Sequence, residues 1–411
     1  MTMVRARAVA LLTVITSSLV LGACDTQFAD PVLLPTETAD PCAKWSTAAE
    51  CSADSANACS LQPNPSGCLT SDPSCAVGEC RSGDPFVRRS GSVLSLHGKP
   101  YRFAGTNAWG VAWSPDCRFD SFDSPEAAIE KTFDDLASMR AGVLRLWAYQ
   151  SYAGASGVDY ANFDLVVRHA RRAGVRLIFV LESMWSSCTR GGQKDDAWFR
   201  SGFSAPYGGY ALSFPDYARG LVQHFRNEPT VLAWEIMHEA GGTDVAALDG
   251  FVDQMSTLIR INDANHLISI GMNNGSSDAT SFEGTPSNYA VLHAHPTVDL
   301  LDVHDFGNPD LATTDSETSA RAVAQSLGKP IFVGAAAVEL SDTSASAFTQ
   351  RANRVAAKLE AAYQAGFIGA LAYEYYPGWS VPGTPFDARP EEPLAGPSGV
   401  LARSALRFAG P

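Results

Sequence analysis

The chain has 411 residues, of which 45% are hydrophobic and only 18% are charged. This composition is typical of a globular protein with a large core and excludes a disordered or fibrous chain. Lysine and arginine number 30 against 44 acidic residues, a net charge of −14 that repels phosphate backbones. We therefore expect no nucleic-acid partner.

The first residues have the pattern of an export signal. Arg5 and Arg7 precede an apolar stretch, Ala8 to Val20, that is too short to span a bilayer unaided. Small residues then lead into Cys24, which is similar to the lipobox of bacterial lipoproteins. We predict a cleaved leader over 1–23 and a lipid on Cys24 that anchors the exported protein to a membrane, at the cell surface or the periplasmic face. An ordinary secretory leader is the alternative. No other run reaches eighteen apolar residues, so we expect no transmembrane helix.

The cysteines support the exported location. Of nine, eight remain once Cys24 is set aside, an even number that is typical of an oxidising compartment. We predict a flexible linker over 24–41 and a disulfide-stapled segment over 42–85 whose pairing stays open. A zinc site is the alternative, but the segment has no histidine and no CxxC pair, so we expect no metal. The six cysteines of this segment are Cys42, Cys51, Cys59, Cys68, Cys75 and Cys80.

From about residue 86 the sequence alternates short apolar runs with segments of helical spacing. This alternation predicts an α/β protein, a single (β/α)₈ barrel over 86–411. A doubly wound open sheet is the alternative, but it would normally show a glycine-rich phosphate motif after its first strand, and none is present. The predicted strands are Tyr101 to Asn107, Val143 to Ala148, Val175 to Leu181, Val231 to Ile236, His266 to Gly271, Leu300 to Val303, Pro330 to Val333 and Phe367 to Tyr373. The predicted helices are Pro125 to Arg140, Phe163 to Ala173, Phe214 to Phe225, Val245 to Ile261, Ser316 to Leu327 and Ala345 to Ala365.

Aromatic and polar residues gather where the predicted strands end, which is the active-site face of such a barrel. Tryptophan and tyrosine there have flat apolar faces that suit stacking on sugar rings; each one taken alone fits core packing better, but their shared position at strand ends favours binding for the group. Cys117 and Cys188 lie in the loops after the first and third strands and are predicted to pair; a catalytic thiol is the alternative, but its partner signature is absent. The candidate binding residues at this face are Trp109, Arg145, Trp147, Trp185, His238, His304, Tyr373 and Trp379.

The fourth strand carries a specific motif. Its sequence Asn227-Glu228-Pro229-Thr230-Val231-Leu232-Ala233-Trp234-Glu235-Ile236-Met237-His238-Glu239 resembles glycoside hydrolase family 5, the cellulase and β-mannanase group. Similar matches are the first strand up to Trp109, Arg145-Leu146-Trp147, Trp185 with the glycines after it, and Lys329 to Gly334. The resemblance implies that Glu239 is the general acid/base and that Arg145 holds the nucleophile. It also implies a β-1,4-linked polysaccharide, of mannan or cellulose type, as the partner of a monomer that needs no cofactor.

Three residues depart from the family pattern around one subsite. The nucleophile position, where the family has glutamate, is Ala335; His238 replaces the asparagine that contacts the sugar 2-hydroxyl, and Phe306 replaces a tyrosine that bonds the nucleophile. A retaining mechanism needs two carboxylates about 5 Å apart. We therefore predict a protein that recognises the polysaccharide while its retaining hydrolysis is impaired.

Two other functions stay open. The first is an active glycosidase with a displaced second carboxylate, from Glu182, Glu374 or Glu339. Glu339 is four residues beyond Ala335, and strand alternation is expected to direct Glu374 away from Tyr373. The second is a structural lipoprotein that retains only the barrel.

Overall fold

The computed structural model describes residues 59–62, 79–115, 117–272, 286–306, 315–378, 386–390 and 392–409. Its main feature is an eight-stranded parallel sheet that curls into a nearly closed barrel, as the apolar runs predicted. Every predicted strand is confirmed. The strands, first to eighth, are Phe103–Asn107, Val143–Trp147, Arg176–Val180, Val231–Glu235, Leu267–Ser269, Leu301–Phe306, Ile331–Ala337 and Gly369–Ala372.

Pairing between the eighth and the first strand excludes the open sheet. Gly369 lies opposite Phe103, and the ladder continues to Ala372 opposite Thr106. The fifth strand and the start of the sixth are connected by two backbone hydrogen bonds: the N–H groups of Asp299 and Leu300 both donate to the carbonyl of Ile268, at 2.8 and 3.1 Å. The carboxyl ends of all eight strands therefore meet at one mouth.

The helices that pack around this barrel begin and end at residues that the sequence indicates. The Ser124 side chain accepts the N–H of Ala127 at 3.3 Å, and Gly174 ends the next helix with φ of 71°. All six predicted helices are confirmed; three more, at Asp196–Arg200, Pro286–Ala294 and Val400–Ala409, were not predicted. The other helices are Pro125–Ser138, Ala161–Ala173, Phe214–Phe225, Val245–Asn262, Asp315–Leu327 and Ala345–Gln364.

A small antiparallel sheet lies on the N-terminal side of the barrel. Its strands are Arg88–Ser90, Val93–Leu96 and Lys99–Pro100. Leu94 of this sheet and Val87, which directly precedes the sheet, are buried in one cluster with the side chains that fill the barrel interior. That end of the barrel is therefore sealed by apolar packing, which leaves the opposite mouth for polar groups.

Part of the predicted N-terminal region lies outside the described residues, including the leader, the linker and Cys24. Within the cysteine-rich segment the structure describes two short strands, Cys59–Gln62 and Glu79–Ser82, which pair antiparallel. Among the described residues, no helix has the length and apolar character needed to cross a membrane.

The predicted disulfide between Cys117 and Cys188 is confirmed. Their Cα atoms are 5.1 Å apart, and the bond closes a sequence separation of 71 residues between the loops after the first and third strands. The Ser151 hydroxyl, in the loop after the second strand, donates to the carbonyl of Cys188 at 2.6 Å. Three neighbouring loops at the barrel mouth are thereby held together.

Replacing both Cys117 and Cys188 by serine should therefore lower the free energy of unfolding by about 2 to 4 kcal/mol, because the unfolded chain regains the entropy of an open loop. Chemical denaturation of the two proteins, with the N-terminal cysteines left in place, measures this difference. Equal unfolding midpoints would mean that the hydrogen bonds of these loops suffice to order them.

Candidate active site

The centre of the barrel mouth is a wholly buried guanidinium group. Arg145, from the second strand, donates from Nε to Glu235 Oε2 at 3.0 Å, and its Nη2 also contacts Glu235 Oε1. Its Nη1 donates to Asn107 Oδ1 at 2.8 Å. Because a buried charge is costly without a partner, the Glu235 carboxylate in the fourth strand is what permits this cation in the core.

Arg145 also fixes the protonation of His238. The distance from Arg145 Nη2 to His238 Nδ1 is 3.1 Å. A guanidinium only donates hydrogen bonds, so Nδ1 must accept and the ring hydrogen of the neutral imidazole lies on Nε2. Burial lowers the pKa of His238 to about 3, against the attraction of Glu239, so the ring is neutral at physiological pH.

Glu239 lies just beyond the fourth strand, in a left-handed conformation with φ of 55°. Its Oε2 accepts the indole N–H of Trp185 at 2.6 Å, and its Oε1 is 2.9 Å from His304 Nδ1. Burial alone would raise the pKa of this carboxyl, but the adjacent His238 and the hydrogen bonds from His304 and Trp185 lower it to about 2. Since His238 is uncharged above about pH 3, the hydrogen bonds are what hold Glu239 ionised at neutral pH.

The seventh strand brings Ala335 to this mouth. Ala335 pairs in register with His304 of the sixth strand and is fully buried. Phe306, two residues after His304, packs edge-on against Tyr373 with ring centroids 5.3 Å apart. A methyl group and a phenyl ring therefore stand at these two positions, and neither can form a hydrogen bond.

The three alternative carboxylates have different surroundings. Glu182 is buried and engaged, because it accepts from the Ser183 N–H at 2.8 Å and from the hydroxyls of Thr189 and Tyr207. Glu339 is exposed on the loop after the seventh strand. Glu374 accepts a hydrogen bond from the Tyr373 hydroxyl, and the charges of Glu374 and Glu239, after burial, raise the pKa of that tyrosine well above its usual value.

The expectation that strand alternation directs Glu374 away from Tyr373 is therefore wrong. Alternation applies within a regular strand, and the eighth strand ends at Ala372, one residue before Tyr373. Residues beyond Ala372 do not have to follow the alternation of an extended strand, so the side chains of Tyr373 and Glu374 can contact each other. Of the three alternative carboxylates, Glu374 is thus the one that, like Glu239, raises the pKa of the Tyr373 hydroxyl.

The comparisons with known proteins agree with this geometry. Residues 94–370 match the model of the cellulase family, glycosyl hydrolase family 5. The chain belongs to this family. It is 25% identical over 268 residues to a probable mannan endo-1,4-beta-mannosidase C of Aspergillus terreus, which covers 51% of the chain and 64% of that relative. It is 24% identical over 294 residues to mannan endo-1,4-beta-mannosidase F of Aspergillus fumigatus, covering 60% of the chain and 62% of the relative.

Solved structures of family 5 enzymes share the fold. An endo-1,4-beta-D-mannanase from Thermotoga petrophila has a TM-score of 0.55 at 19% identity and covers 74% of the chain and 100% of its own length. An endo-beta-1,4-glucanase from Xanthomonas axonopodis pv. citri has a TM-score of 0.53 at 14% identity, with coverage of 75% and 100%. The chain spans less than two thirds of the length of the first curated relatives that it matches.

The structure brings together most of the residues that the sequence singled out from the family pattern. Arg145, His238, Glu239, His304 and Trp185 form one hydrogen-bonded group. The aromatic candidates differ in exposure. Trp147 is buried and packs against the His238 ring with centroids 4.7 Å apart. It therefore holds that imidazole in place and does not expose its own ring for stacking on a sugar.

Trp109, Trp185 and Tyr373 keep part of their surfaces exposed at the mouth of this family 5 barrel. Trp109 packs edge-on against Phe119, with ring centroids 5.3 Å apart, and its carbonyl accepts from the Tyr152 hydroxyl at 2.9 Å. No hydrogen bond joins Trp109 to Glu239 among the described residues. Trp379 lies outside the described residues.

Glu235, which pairs with Arg145, and the buried Asp302 were not predicted. Both are acidic residues inside apolar strand runs, and Arg145 is likewise a charged residue inside such a run. Charged side chains in buried strands are rare unless they are paired. That shared anomaly was the signal in the sequence that could have connected Arg145 with Glu235.

Three residues of the group are also close enough to be considered as metal ligands. One ligand atom each from His238, Glu239 and His304 lie within 4.8 Å of one another. However, His238 Nδ1 accepts from Arg145, so its Nε2 carries a hydrogen and offers no lone pair to a metal. A metal would have to displace the Arg145 hydrogen bond, and the absence of a metal site stays a prediction.

The lowered pKa of Glu239 makes a pH-dependent contribution to stability. Its folded value of about 2 lies below the unfolded value of 4.5, so the stabilisation is present above pH 4.5 and is lost as the pH falls toward 2. The free-energy difference between the wild type and Glu239→Gln should therefore shrink by up to about 3 kcal/mol between pH 6 and pH 2. Denaturant titrations of the two proteins at a series of pH values measure it. A free-energy difference that does not change with pH would show that folding does not lower the pKa of Glu239.

Proposed function

We propose that this family 5 protein recognises β-1,4-linked polysaccharide, of mannan or cellulose type, with little or no retaining hydrolysis. Two conditions at the barrel mouth carry the proposal: Ala335 lies on the seventh strand, and Glu239, just beyond the fourth, is held ionised by its hydrogen bonds. The first removes the group that would attack the anomeric carbon. The second removes the proton that the leaving oxygen requires.

The electrostatics of a two-carboxylate site support this reading. In a retaining glycosidase the acid/base must be protonated before the reaction begins. A second carboxylate about 5 Å away raises the pKa of its neighbour, because two like charges repel each other. Among the described residues, Glu239 accepts hydrogen bonds only from Trp185 and His304, and the neutral His238 ring lies 3.8 Å from its Oε2. Both hydrogen bonds lower the pKa of Glu239.

The choice of polysaccharide rests on the relatives. The curated relatives cited above are named mannan endo-1,4-beta-mannosidases, and the solved structures are named as a mannanase and a glucanase. The partly exposed rings of Trp109, Trp185 and Tyr373 around Glu239 suit a chain of sugar rings, which present apolar faces for stacking.

Binding and turnover should therefore separate in the purified protein. We expect retardation of the protein in a gel that contains soluble mannan or a soluble cellulose derivative, together with no release of reducing ends from either polymer above a buffer blank. Trp185→Ala is the binding variant, and Ile261→Ala, an exposed residue on an outer helix, is its control. A protein that is neither retarded nor active would favour the purely structural lipoprotein.

An active enzyme is the second candidate, because Glu374 lies near the same tyrosine as Glu239. An inverting mechanism would use one carboxylate as base and the other as acid, about 6.5 to 9.5 Å apart. If reducing ends are released, Glu374→Gln should abolish that activity, whereas Glu339→Gln, on the exposed loop, should not. Such a result would replace the proposal of a non-hydrolytic protein.

Restoring the nucleophile should create activity. In Ala335→Glu the new carboxylate faces Glu239, raises its pKa by like-charge repulsion and supplies the attacking oxygen. We expect hydrolysis of an aryl β-mannoside or aryl β-glucoside at least about 100-fold above the wild type, since deletion of such groups costs on the order of 10⁴ to 10⁶ in rate.

The matched control is Ala335→Gln, which adds nearly the same volume without a nucleophile and should stay inactive. Ala335→Glu combined with Glu239→Gln should also stay inactive, and Phe306→Tyr should increase the gain by supplying a hydroxyl beside residue 335. If Ala335→Glu folds and shows no gain with or without Phe306→Tyr, the inherited role of Glu239 has to be abandoned.

The location of the protein belongs to the same proposal. The basic and apolar leader, Cys24 after small residues and the even number of other cysteines support an exported lipoprotein that holds its barrel at a membrane surface. Metabolic labelling with a radioactive fatty acid, compared between the wild type and Cys24→Ser, tests this, with loss of label and release from the membrane expected in the variant.

A further inference from the structure

Near Glu239, two neighbouring buried polar atoms have no hydrogen-bond partner among the described residues. One is Oδ2 of Asp302, a wholly buried residue of the sixth strand, and the other is Nε2 of His304, two residues further along. They lie 3.8 Å apart, just beyond hydrogen-bond distance. Neither atom has another hydrogen-bond partner among the described residues. Buried polar atoms are rarely left unpaired, so this contact requires an explanation.

The surroundings of Asp302 do not favour a negative charge. Hydrogen bonds from the N–H groups of Gly271, at 3.1 Å, and of Met272 favour a charge on its carboxyl, but burial and the like charge of Glu235 outweigh them. The nearby cation, Arg145, already donates to Glu235, Asn107 and His238. Burial and the charge of Glu235 accordingly raise the pKa of Asp302 well above its usual value. A protonated Asp302 has a hydroxyl to donate.

His304 needs such a donor. Its Nδ1 is 2.9 Å from Glu239 Oε1, and an ionised carboxylate can only accept, so the ring hydrogen lies on Nδ1. In a neutral imidazole Nε2 then carries a lone pair that has to accept a hydrogen bond. The seventh strand leaves room for this ring only because residue 334 is glycine, since a Cβ there would lie 2.9 Å from His304 Nε2.

We propose that Asp302 is a positioning residue, whose carboxylic acid hydroxyl donates to His304 Nε2 and holds that ring in the Nδ1–H tautomer that donates to Glu239. Arg145 fixes the opposite tautomer in His238. In this arrangement the 3.8 Å contact closes to hydrogen-bond distance, and Asp302, His304 and Glu239 form a chain of hydrogen bonds from the barrel interior to its mouth. Its effect is to keep Glu239 an oriented acceptor. The inference concerns the free protein, so it stands or fails independently of glycan binding.

The other charged groups around these three residues do not donate a hydrogen bond to His304 Nε2. The His238 ring lies 5.6 Å from the His304 ring between centroids, and its own hydrogen is on Nε2, 3.8 Å from Glu239 Oε2. Glu235 and Arg145 satisfy each other. The competing arrangement is an ionised Asp302 and a doubly protonated His304 between two carboxylates, and it predicts a different spectrum.

Nitrogen NMR of the full chain, labelled with ¹⁵N at histidine, distinguishes these arrangements at neutral pH without any ligand. We expect the two-bond correlations of His304, identified by their loss in His304→Gln, to show a neutral ring with hydrogen on Nδ1. A doubly protonated ring, or a neutral ring with hydrogen on Nε2, would overturn the proposal from the wild-type spectrum alone.

Two variants test the role of Asp302 itself. Asp302→Asn keeps an oxygen for Gly271 and an N–H donor for His304, so the Nδ1–H pattern should persist. Asp302→Leu removes the donor, and a substantial loss of that pattern is expected together with a rise in the pKa of Glu239, followed by ¹³C NMR of labelled carboxyl groups. Asp263→Asn makes the same change beside His266 and should leave His304 unaffected. Equal disturbance in Asp302→Asn and Asp302→Leu would contradict the proposal, and if Asp302→Leu fails to fold, the wild type and Asp302→Asn still decide it.

Discussion

The barrel mouth depends on one buried cation. Arg145 is fully enclosed, and its hydrogen bonds extend to Asn107 on the first strand, Glu235 on the fourth and His238 just beyond the fourth. Breaking a buried ion pair by removing one partner typically costs about 3 to 5 kcal/mol, because the other charge is left without compensation. The strand ends that carry the candidate site are therefore held in place by the same interaction that determines the tautomer of His238.

The second constraint is the direction of the hydrogen bonds around Glu239. Donors converge on this carboxylate from Trp185 and His304, while Ala335 on the seventh strand offers only a methyl group. A site that surrounds one carboxylate with donors stabilises its charge, whereas a site that places two carboxylates together forces one to keep its proton. This difference is the physical basis of the proposed separation of binding from hydrolysis.

The sequence predicted the barrel well because buried parallel strands read as continuous apolar runs, and eight such runs with helices between them fit one architecture. It missed the three short antiparallel strands at 88–100 and the helix Asp196–Arg200, which are too short to show a periodic pattern. Alternation failed for Glu374 because that residue follows the last regular strand residue. The predicted disulfide between Cys117 and Cys188 was confirmed, since the loops that follow the parallel strands of a barrel all open at the same face.

The sequence by itself determined which groups are present: one family motif ending in Glu239, an alanine at position 335, and charged residues inside apolar strands. Only the tertiary structure decided which of those groups meet. Arg145 and Glu235 are 90 residues apart in the chain, and Asp302 lies 63 residues after Glu239, as their numbers show. Protonation states follow from such contacts, because a pKa depends on burial and on neighbouring charges within a few ångströms, neither of which is encoded at any single position.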